Sequence, residues 1–190
     1  AEDCFVVLRD IGTAAIEGKA AIADIDGDGH SEVVVGAGST FTTTAHGGLY
    51  VLDHQGNLQC TYDSGDFRLD GWRDGVWSSP AVADVDQNDG GKLEIAFGGW
   101  DAKVHLVNHN CTPVWSMDTY DTVWSSPSIL DIDRDGRLEI IIGTDSNDDA
   151  TKNIVKGGRI LAFDSDGNQL PGFPKLVNEV IYSSPALGDI

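Results

Sequence analysis

The chain has 190 residues, of which 41% are hydrophobic and 23% are charged, a composition typical of a globular protein rather than a disordered one. Its 31 acidic residues outnumber its 12 basic residues and give a formal net charge of −19 at pH 7. Duplex nucleic acid and anionic membrane surfaces would repel such a chain, and no apolar run is long enough for an ordinary membrane-spanning helix. Cations are therefore the expected partners.

One sequence pattern recurs along the chain. Its three full copies occupy residues 19–36, 79–98 and 126–143, and a fourth begins at residue 183. The first Asp of each copy is Asp24, Asp84, Asp131 or Asp189, so the copies follow one another after 60, 47 and 58 residues. Periods near this size are typical of β-propeller blades.

Each copy predicts four short strands, because runs rich in β-branched and aromatic residues are bounded by Gly, Asn and Asp. In the first copy we expect strands at residues 20–25, 32–35, 49–53 and 58–62. In the second copy we expect them at residues 81–85, 93–97, 103–108 and 113–117. The turns at 53–57 and 164–168 contain Gly and Asn, which favour hairpins between the third and fourth strands.

These strands predict an all-β fold: a β-propeller of four-stranded antiparallel blades, with three full blades and a part-blade at each end of an incomplete ring. Within a single partial domain over residues 1–190, the expected units are a last strand of a preceding blade (1–18), three blades (19–77, 78–124 and 125–182) and the start of a further blade (183–190). A complete small barrel or sandwich is the alternative, but it would not explain a copy that stops at Ile190.

The loops between the first and second strands carry the strongest chemical signal. Acidic residues occupy positions 1, 3, 5 and 9 of two loops, with Gly at position 6: Asp24, Asp26, Asp28 and Glu32 in loop one, and Asp131, Asp133, Asp135 and Glu139 in loop three. Alternate spacing lets carboxylates converge from a curled backbone, and hard oxygen ligands in a flexible loop suit Ca²⁺ better than Mg²⁺. A thiophilic metal is not expected, because neither Cys nor paired His accompanies these residues.

These loops have two other interpretations, an EF-hand and a hairpin that binds no metal. An EF-hand needs a bidentate Glu at position 12, where Val35 and Ile142 stand, and β-branched runs follow the loops in place of a helix. An Asp/Gly hairpin that binds nothing is the simpler alternative, because these residues favour turns. Four carboxylates within nine residues would repel one another without a cation, which favours metal binding.

Loop two departs from the pattern. Its candidate ligands are Asp84, Asp86, Asn88 and Glu94, and the last of them comes two residues later than in the other loops. A bulge could bring Glu94 or Asp89 toward the ion, and the neutral Asn88 predicts a lower affinity. Asp189 would begin a fourth site.

The motif DxDxDGxxE, with Ser-Ser-Pro before it and a β-branched run ending in Gly after it, resembles the FG-GAP or VCBS repeat. The resemblance covers nearly the whole chain. It implies a calcium-stabilised propeller displayed outside the cell, like those of integrin α-subunit heads and many secreted bacterial proteins, acting in adhesion or ligand binding. The implied partners are an extracellular protein or a glycan. Loop two departs from the family pattern, as does Glu at position 9, where the family often has Asp.

Loops at the opposite end of the predicted sheets carry aromatic residues. Trp77, Trp124 and Tyr182 recur at one position of the repeat, which favours packing between blades over ligand contact. Trp72 and Trp100 do not recur, and for them ligand contact and loop packing both stay open. In the loop 143–158, the run from Asp145 to Asp149 is interpreted as a solvated acidic loop rather than a further cation site.

No catalytic motif is present, and the five His, at positions 30, 46, 54, 105 and 109, are scattered, so we do not expect an enzyme. The alternatives to adhesion are a carbohydrate-binding module, an accessory domain of an extracellular enzyme, and a scaffold whose open strand edges are covered by the rest of the ring or by another chain.

The three cysteines, Cys4, Cys60 and Cys111, show no CxxC spacing, and their odd number leaves at least one without a partner in the chain. Cys4 and Cys111 are predicted to lie two blades apart, too far for a disulfide. A free buried thiol is expected for at least one of the three, and an intermolecular bridge is the alternative.

Overall fold

Twelve β-strands, in three four-stranded antiparallel sheets, make up the regular structure of the computed structural model, which describes residues 15–38, 47–67, 69, 71, 74–88, 90–146 and 156–188. Sheet one contains β1 (Ala21–Ala23), β2 (Glu32–Ala37), β3 (Gly48–Leu52) and β4 (Leu58–Asp63). Sheet two contains β5 (Ala81–Ala83), β6 (Glu94–Gly98), β7 (Lys103–Val107) and β8 (Pro113–Asp118). Sheet three contains β9 (Ser128–Leu130), β10 (Glu139–Ser146), β11 (Gly157–Phe163) and β12 (Lys175–Val177).

Each sheet follows the order of the chain, so every strand pairs with its sequence neighbour. The all-β class and the four-strand repeat are thereby confirmed, and the described residues include no helix that could cross a membrane. The first strands of sheets one and two are shorter than expected, at three residues each. In sheet one this is because Asp24 already accepts hydrogen bonds from its own loop, which replace further strand pairing.

The connection after β10 differs from the prediction. Residues 143–158 were expected to form a loop, but β10 continues to Ser146 and β11 begins at Gly157, with these two residues paired. Asp145 therefore lies on a strand beside Gly158 and is half-buried. The rest of the acidic run, 147–149, lies outside the described residues.

The hydrophobic core lies between neighbouring sheets. Sheets one and two bury Val34, Leu49, Val51, Ile95 and Phe97 against one another. A second layer between sheets two and three is formed by Val104, Leu106, Ile140, Ile142, Leu161 and Phe163. Close packing here requires glycine at one position of the repeat, because a Cβ on Gly36, Gly98 or Gly143 would overlap Val76, Val123 or Ile181, respectively.

Successive copies are also joined by hydrogen bonds at the entry to their first strands. The N–H of Lys19 donates to Oγ of Ser79 at 2.8 Å, and the N–H of Ser79 donates to Oγ of Ser126, also at 2.8 Å. The N–H of Ser126 donates in turn to Oγ of Ser184 at 3.2 Å. The second Ser of each Ser-Ser-Pro motif thus contacts the preceding copy, and β1 contacts β5 as β5 contacts β9.

Candidate metal centres

Three groups of carboxylates lie at equivalent places, between the first and second strands of each sheet. The groups are Asp24, Asp26 and Glu32; Asp84, Asp86 and Glu94; and Asp131, Asp133 and Glu139. Within each group one carboxylate oxygen from every residue lies within 4.8 Å of the others. The structure therefore brings together nine of the twelve predicted ligands, in three sets of three.

The first Asp of the loop holds the backbone in its curled form. In loop one, Asp24 Oδ1 accepts the N–H of Gly27 at 2.8 Å, and its Oδ2 accepts the N–H of Gly29 at 2.9 Å. In loop three, Asp131 Oδ2 accepts the N–H of Gly136 at 3.0 Å. The backbone wraps around this carboxylate, which turns the side chain at position 3 toward it.

Two positions of the loop have left-handed backbone. Position 6 was expected to need glycine, and Gly29 and Gly136 have φ of 90° and 92°. Position 4 was not anticipated: Gly27, Gln87 and Arg134 have φ of 79°, 54° and 64°. In loop one, the glycine at position 4 indicates left-handed backbone. In the other two loops, position 4 is Gln87 or Arg134, residue types that seldom adopt this conformation.

The Glu of each loop is the first residue of the second strand, and it is almost completely buried. Glu32, Glu94 and Glu139 have exposed fractions of 0%, 1% and 2%. Each accepts the N–H of the residue after the first Asp: Ile25 at 3.0 Å, Val85 at 2.8 Å and Ile132 at 2.8 Å. Loop two thus reaches the same closure as the others, across nine residues of sequence in place of seven.

The electrostatics of the three groups favour a cation. Burial raises the pKa of Glu32, and the negative charges of Asp26, Asp28 and Asp24 raise it further. Burial and nearby aspartates likewise raise the pKa of Glu94 and of Glu139. A divalent ion beside these oxygens would offset both the desolvation and the repulsion.

In loops one and two, one carboxylate oxygen of each group is placed as a metal ligand would be. Glu32 Oε1 and Asp84 Oδ1 are buried, and neither has a hydrogen-bond partner among the described residues. A buried polar atom without a partner costs free energy, which coordination to a cation would recover. The donors are all carboxylate oxygens, the ligands that Ca²⁺ prefers.

Two predicted ligands at position 5, Asp28 and Asp135, are not members of these carboxylate groups. Asp28 Oδ1 accepts the N–H of His30 at 2.7 Å, and Asp135 Oδ1 accepts the N–H of Arg137 at 2.8 Å. Asn88 donates from its side-chain amide to Asp86. Asp89 and Asp189 lie outside the described residues.

An aromatic cluster lies at the other end of the sheets from the carboxylates. Its members are Trp77, Trp100, Trp124 and Tyr182. The ring centroid of Trp77 lies 4.3 Å from that of Trp100 and 4.7 Å from that of Trp124. The ring centroids of Trp124 and Tyr182 are 5.8 Å apart. The three indoles are half-buried, and Tyr182 is 62% exposed. Trp72 lies outside the described residues.

A polar contact that the sequence did not indicate joins Tyr62, His105 and Asp101. His105 Nε2 lies 3.0 Å from Asp101 Oδ2, and His105 Nδ1 lies 3.2 Å from the Tyr62 hydroxyl. His105 and Asp101 have exposed fractions of only 2% and 4%, and the His105 ring stacks on Phe97. His105 and Asp101 are thus paired inside the core, and the partly buried Tyr62 joins them from β4.

The structure also pairs Cys60 with Cys111 in a disulfide that was not predicted. Cys60 lies on β4, and Cys111 lies in the turn between β7 and β8, with their Cα atoms 5.9 Å apart. The bond therefore joins sheet one to sheet two. Cys4 lies outside the described residues, so the separation expected between Cys4 and Cys111 stays a prediction.

No protein-family model matches the chain, and no curated protein matches it in sequence. Among solved structures, the chain is similar to the V. cholerae biofilm matrix protein Bap1, with 23% sequence identity and a TM-score of 0.34. The match covers 79% of this chain but only 27% of Bap1. A likeness at this level carries no argument about the function of the chain.

Proposed function

We propose that the chain is an extracellular, non-enzymatic β-propeller segment of the FG-GAP or VCBS type, which binds Ca²⁺ structurally and acts in adhesion to a macromolecule. The observation that carries this proposal is the threefold recurrence of a carboxylate group closed by a buried Glu. One such group could be an ordinary acidic turn, but three in the same register of three sheets favour one shared ligand.

The propeller arrangement is supported by the contacts between copies. The hydrogen bonds from Lys19 to Ser79, from Ser79 to Ser126 and from Ser126 to Ser184 repeat one relationship at the entry to the first strands. A repeated relationship between neighbouring sheets is expected when the sheets are arranged around a common axis. The close packing of Val76, Val123 and Ile181 against Gly36, Gly98 and Gly143, respectively, repeats in the same way.

An extracellular location is supported by the Cys60–Cys111 disulfide, because structural disulfides persist in oxidising compartments.

The negative net charge of the chain supports the proposed binding of calcium. Three bound Ca²⁺ ions would add six positive charges and reduce the net charge from −19 to about −13.

Calorimetry on the same preparation with calcium and with excess chelator tests the calcium proposal. We expect the melting temperature to rise by several degrees with calcium, because an ion that binds only the folded state stabilises it. The triple variant Asp26→Asn, Asp86→Asn, Asp133→Asn is the control and should lose this rise. An identical melting temperature for the wild-type protein in calcium and in chelator would refute the proposal.

A second candidate function, glycan binding, is favoured by the aromatic cluster. Aromatic rings that are half-exposed offer stacking faces for sugar rings, and Tyr182 is the most exposed member. On a glycan array, Trp100→Ala and Tyr182→Ala should lose a signal that Trp115→Phe retains, since Trp115 packs against Phe163 outside the cluster. Trp72→Ala tests the remaining predicted contact, and binding that survives all three alanine variants would reject this function.

A further inference from the structure

Adjacent metal loops contact each other directly. The N–H of Leu93, the residue before Glu94 in loop two, donates to the carbonyl oxygen of Ile25 in loop one at 2.9 Å. Ile25 lies between Asp24 and Asp26, and its own N–H donates to Glu32. One peptide segment of loop one therefore contacts the closing Glu of its own loop and the backbone of the next loop.

The link from loop two to loop three is made by a side chain. Nε2 of Gln87 donates to the carbonyl oxygen of Gly136 at 2.7 Å. Gln87 lies between the candidate ligands Asp86 and Asn88, while the N–H of Gly136 donates to Asp131 Oδ2 at 3.0 Å. Only one side chain therefore separates the candidate ligands of loop two from the carboxylate around which loop three is wrapped.

We infer that loops two and three bind calcium cooperatively and that Gln87 couples them. This inference rests on the proposed calcium-binding function. With an ion bound in loop three, Asp131 would be fixed, and so would the N–H of Gly136 that it accepts. The next peptide group would be ordered with it, and its carbonyl oxygen accepts the Gln87 amide. Ordering Gln87 orders Asp86 and Asn88 on either side of it, so an ion entering loop two has less conformational entropy to remove.

Loop two gains most from such coupling. It has two residues more than its neighbours and a neutral Asn where they have Asp, and both changes weaken an isolated site. Gln87 also adopts φ of 54°, a conformation that costs free energy for a residue with a Cβ. The hydrogen bond to Gly136 helps to hold this backbone in place before the ion arrives.

A double-mutant cycle tests the coupling. Isothermal titration with Ca²⁺ is performed on four proteins, all carrying Asp26→Asn to silence loop one: the parent, Asp133→Asn, Gln87→Met and the combination. Met keeps the length of Gln but cannot donate. In the parent, silencing loop three with Asp133→Asn should weaken calcium binding by loop two about fivefold or more. In proteins that carry Gln87→Met, Asp133→Asn should leave the calcium affinity of loop two unchanged.

Gln55→Met, in the turn between β3 and β4, is the matched control and should leave the coupling intact. If Gln87→Met does not fold, as judged by circular dichroism, Gln87→Asn replaces it, because Asn tolerates left-handed backbone and shortens the amide by one methylene. If loop two takes up calcium with an affinity that Asp133→Asn does not change, the coupling is refuted but the proposed calcium-binding function is not. An absence of calcium uptake by the wild-type protein would overturn the proposed function as well.

Discussion

Glu94 Oε2 accepts the N–H of Val85 at 2.8 Å across nine residues of sequence, whereas Glu32 and Glu139 make the same contact across seven. The longer loop therefore keeps the closure of the shorter ones. Because Glu94 begins β6, its position is set by the strand ladder, and the extra residues are accommodated at Gly90 and Gly91, which have φ of 72° and 87°.

Replacing Glu94 with Gln should remove one calcium ion from the stoichiometry or weaken its site by about tenfold or more, because a charged ligand becomes neutral. Gln keeps an oxygen that can accept the Val85 N–H, so the loop should retain its closure. Isothermal titration measures the effect, with Glu179→Gln at an exposed position as the control. Equal stoichiometry and affinity in the two variants would show that Glu94 is not a ligand.

The metal-free protein should lose stability as the pH rises. Burial raises the pKa of Glu32, Glu94 and Glu139 above the ordinary value of 4.5, so the folded state binds more protons than the unfolded state between that value and the raised pKa. The free energy of unfolding must then fall as the pH increases through this window. Bound calcium should reverse the sign, because the ion favours the ionised carboxylates.

Urea unfolding at about pH 5 and about pH 7.5, on protein stripped of metal and on protein saturated with calcium, measures this difference. A steady gain of stability with pH in the stripped protein would contradict the assignment of raised pKa values to these three residues.

Removal of the disulfide should weaken the contact between sheets one and two. Cys60→Ser or Cys111→Ser is expected to lower the free energy of unfolding by roughly 2–4 kcal/mol, the usual effect of losing a native disulfide. Cys4→Ser serves as the control. A reducing agent should reproduce the loss in the wild-type protein and have no effect on Cys60→Ser; a reductant effect of equal size in both would argue against the Cys60–Cys111 pairing.

Ser126 makes a contact with each neighbouring copy, and Ser126→Ala removes the Oγ that accepts the Ser79 N–H. Leaving this half-buried donor without its partner should cost about 1–3 kcal/mol. Ser116→Ala, at an exposed position on β8, is the control. Equal thermal stabilities of the two variants would remove the support that the serine contacts give to the propeller arrangement.

The strands and the carboxylate groups were predictable because their signals are local. Alternating β-branched residues and Gly/Asn turns place β2 to β4 and β6 to β8 within about two residues of the expected ends, and the strand ladder then positions Glu32, Glu94 and Glu139. The left-handed backbone at Gln87 and Arg134 was not predictable, because their residue types give no sign of it.

Features that depend on the packing of one sheet on the next were also missed. The Cys60–Cys111 bond, the Tyr62–His105 contact and the serine contacts join residues at least 43 positions apart, which no local pattern indicates. The aromatic cluster was partly anticipated, because three of its members share one position of the repeat. Trp100 joins them from another loop, and only the structure shows that it does.

Under the calcium proposal, each carboxylate group holds one Ca²⁺ ion. A crystal structure determined from crystals grown in millimolar calcium, with anomalous diffraction data, would locate these ions. We expect one anomalous peak in each group, beside Glu32, Glu94 and Glu139, with oxygen ligands at about 2.3–2.6 Å. Well-ordered loops that contain no peak under these conditions would contradict the claim.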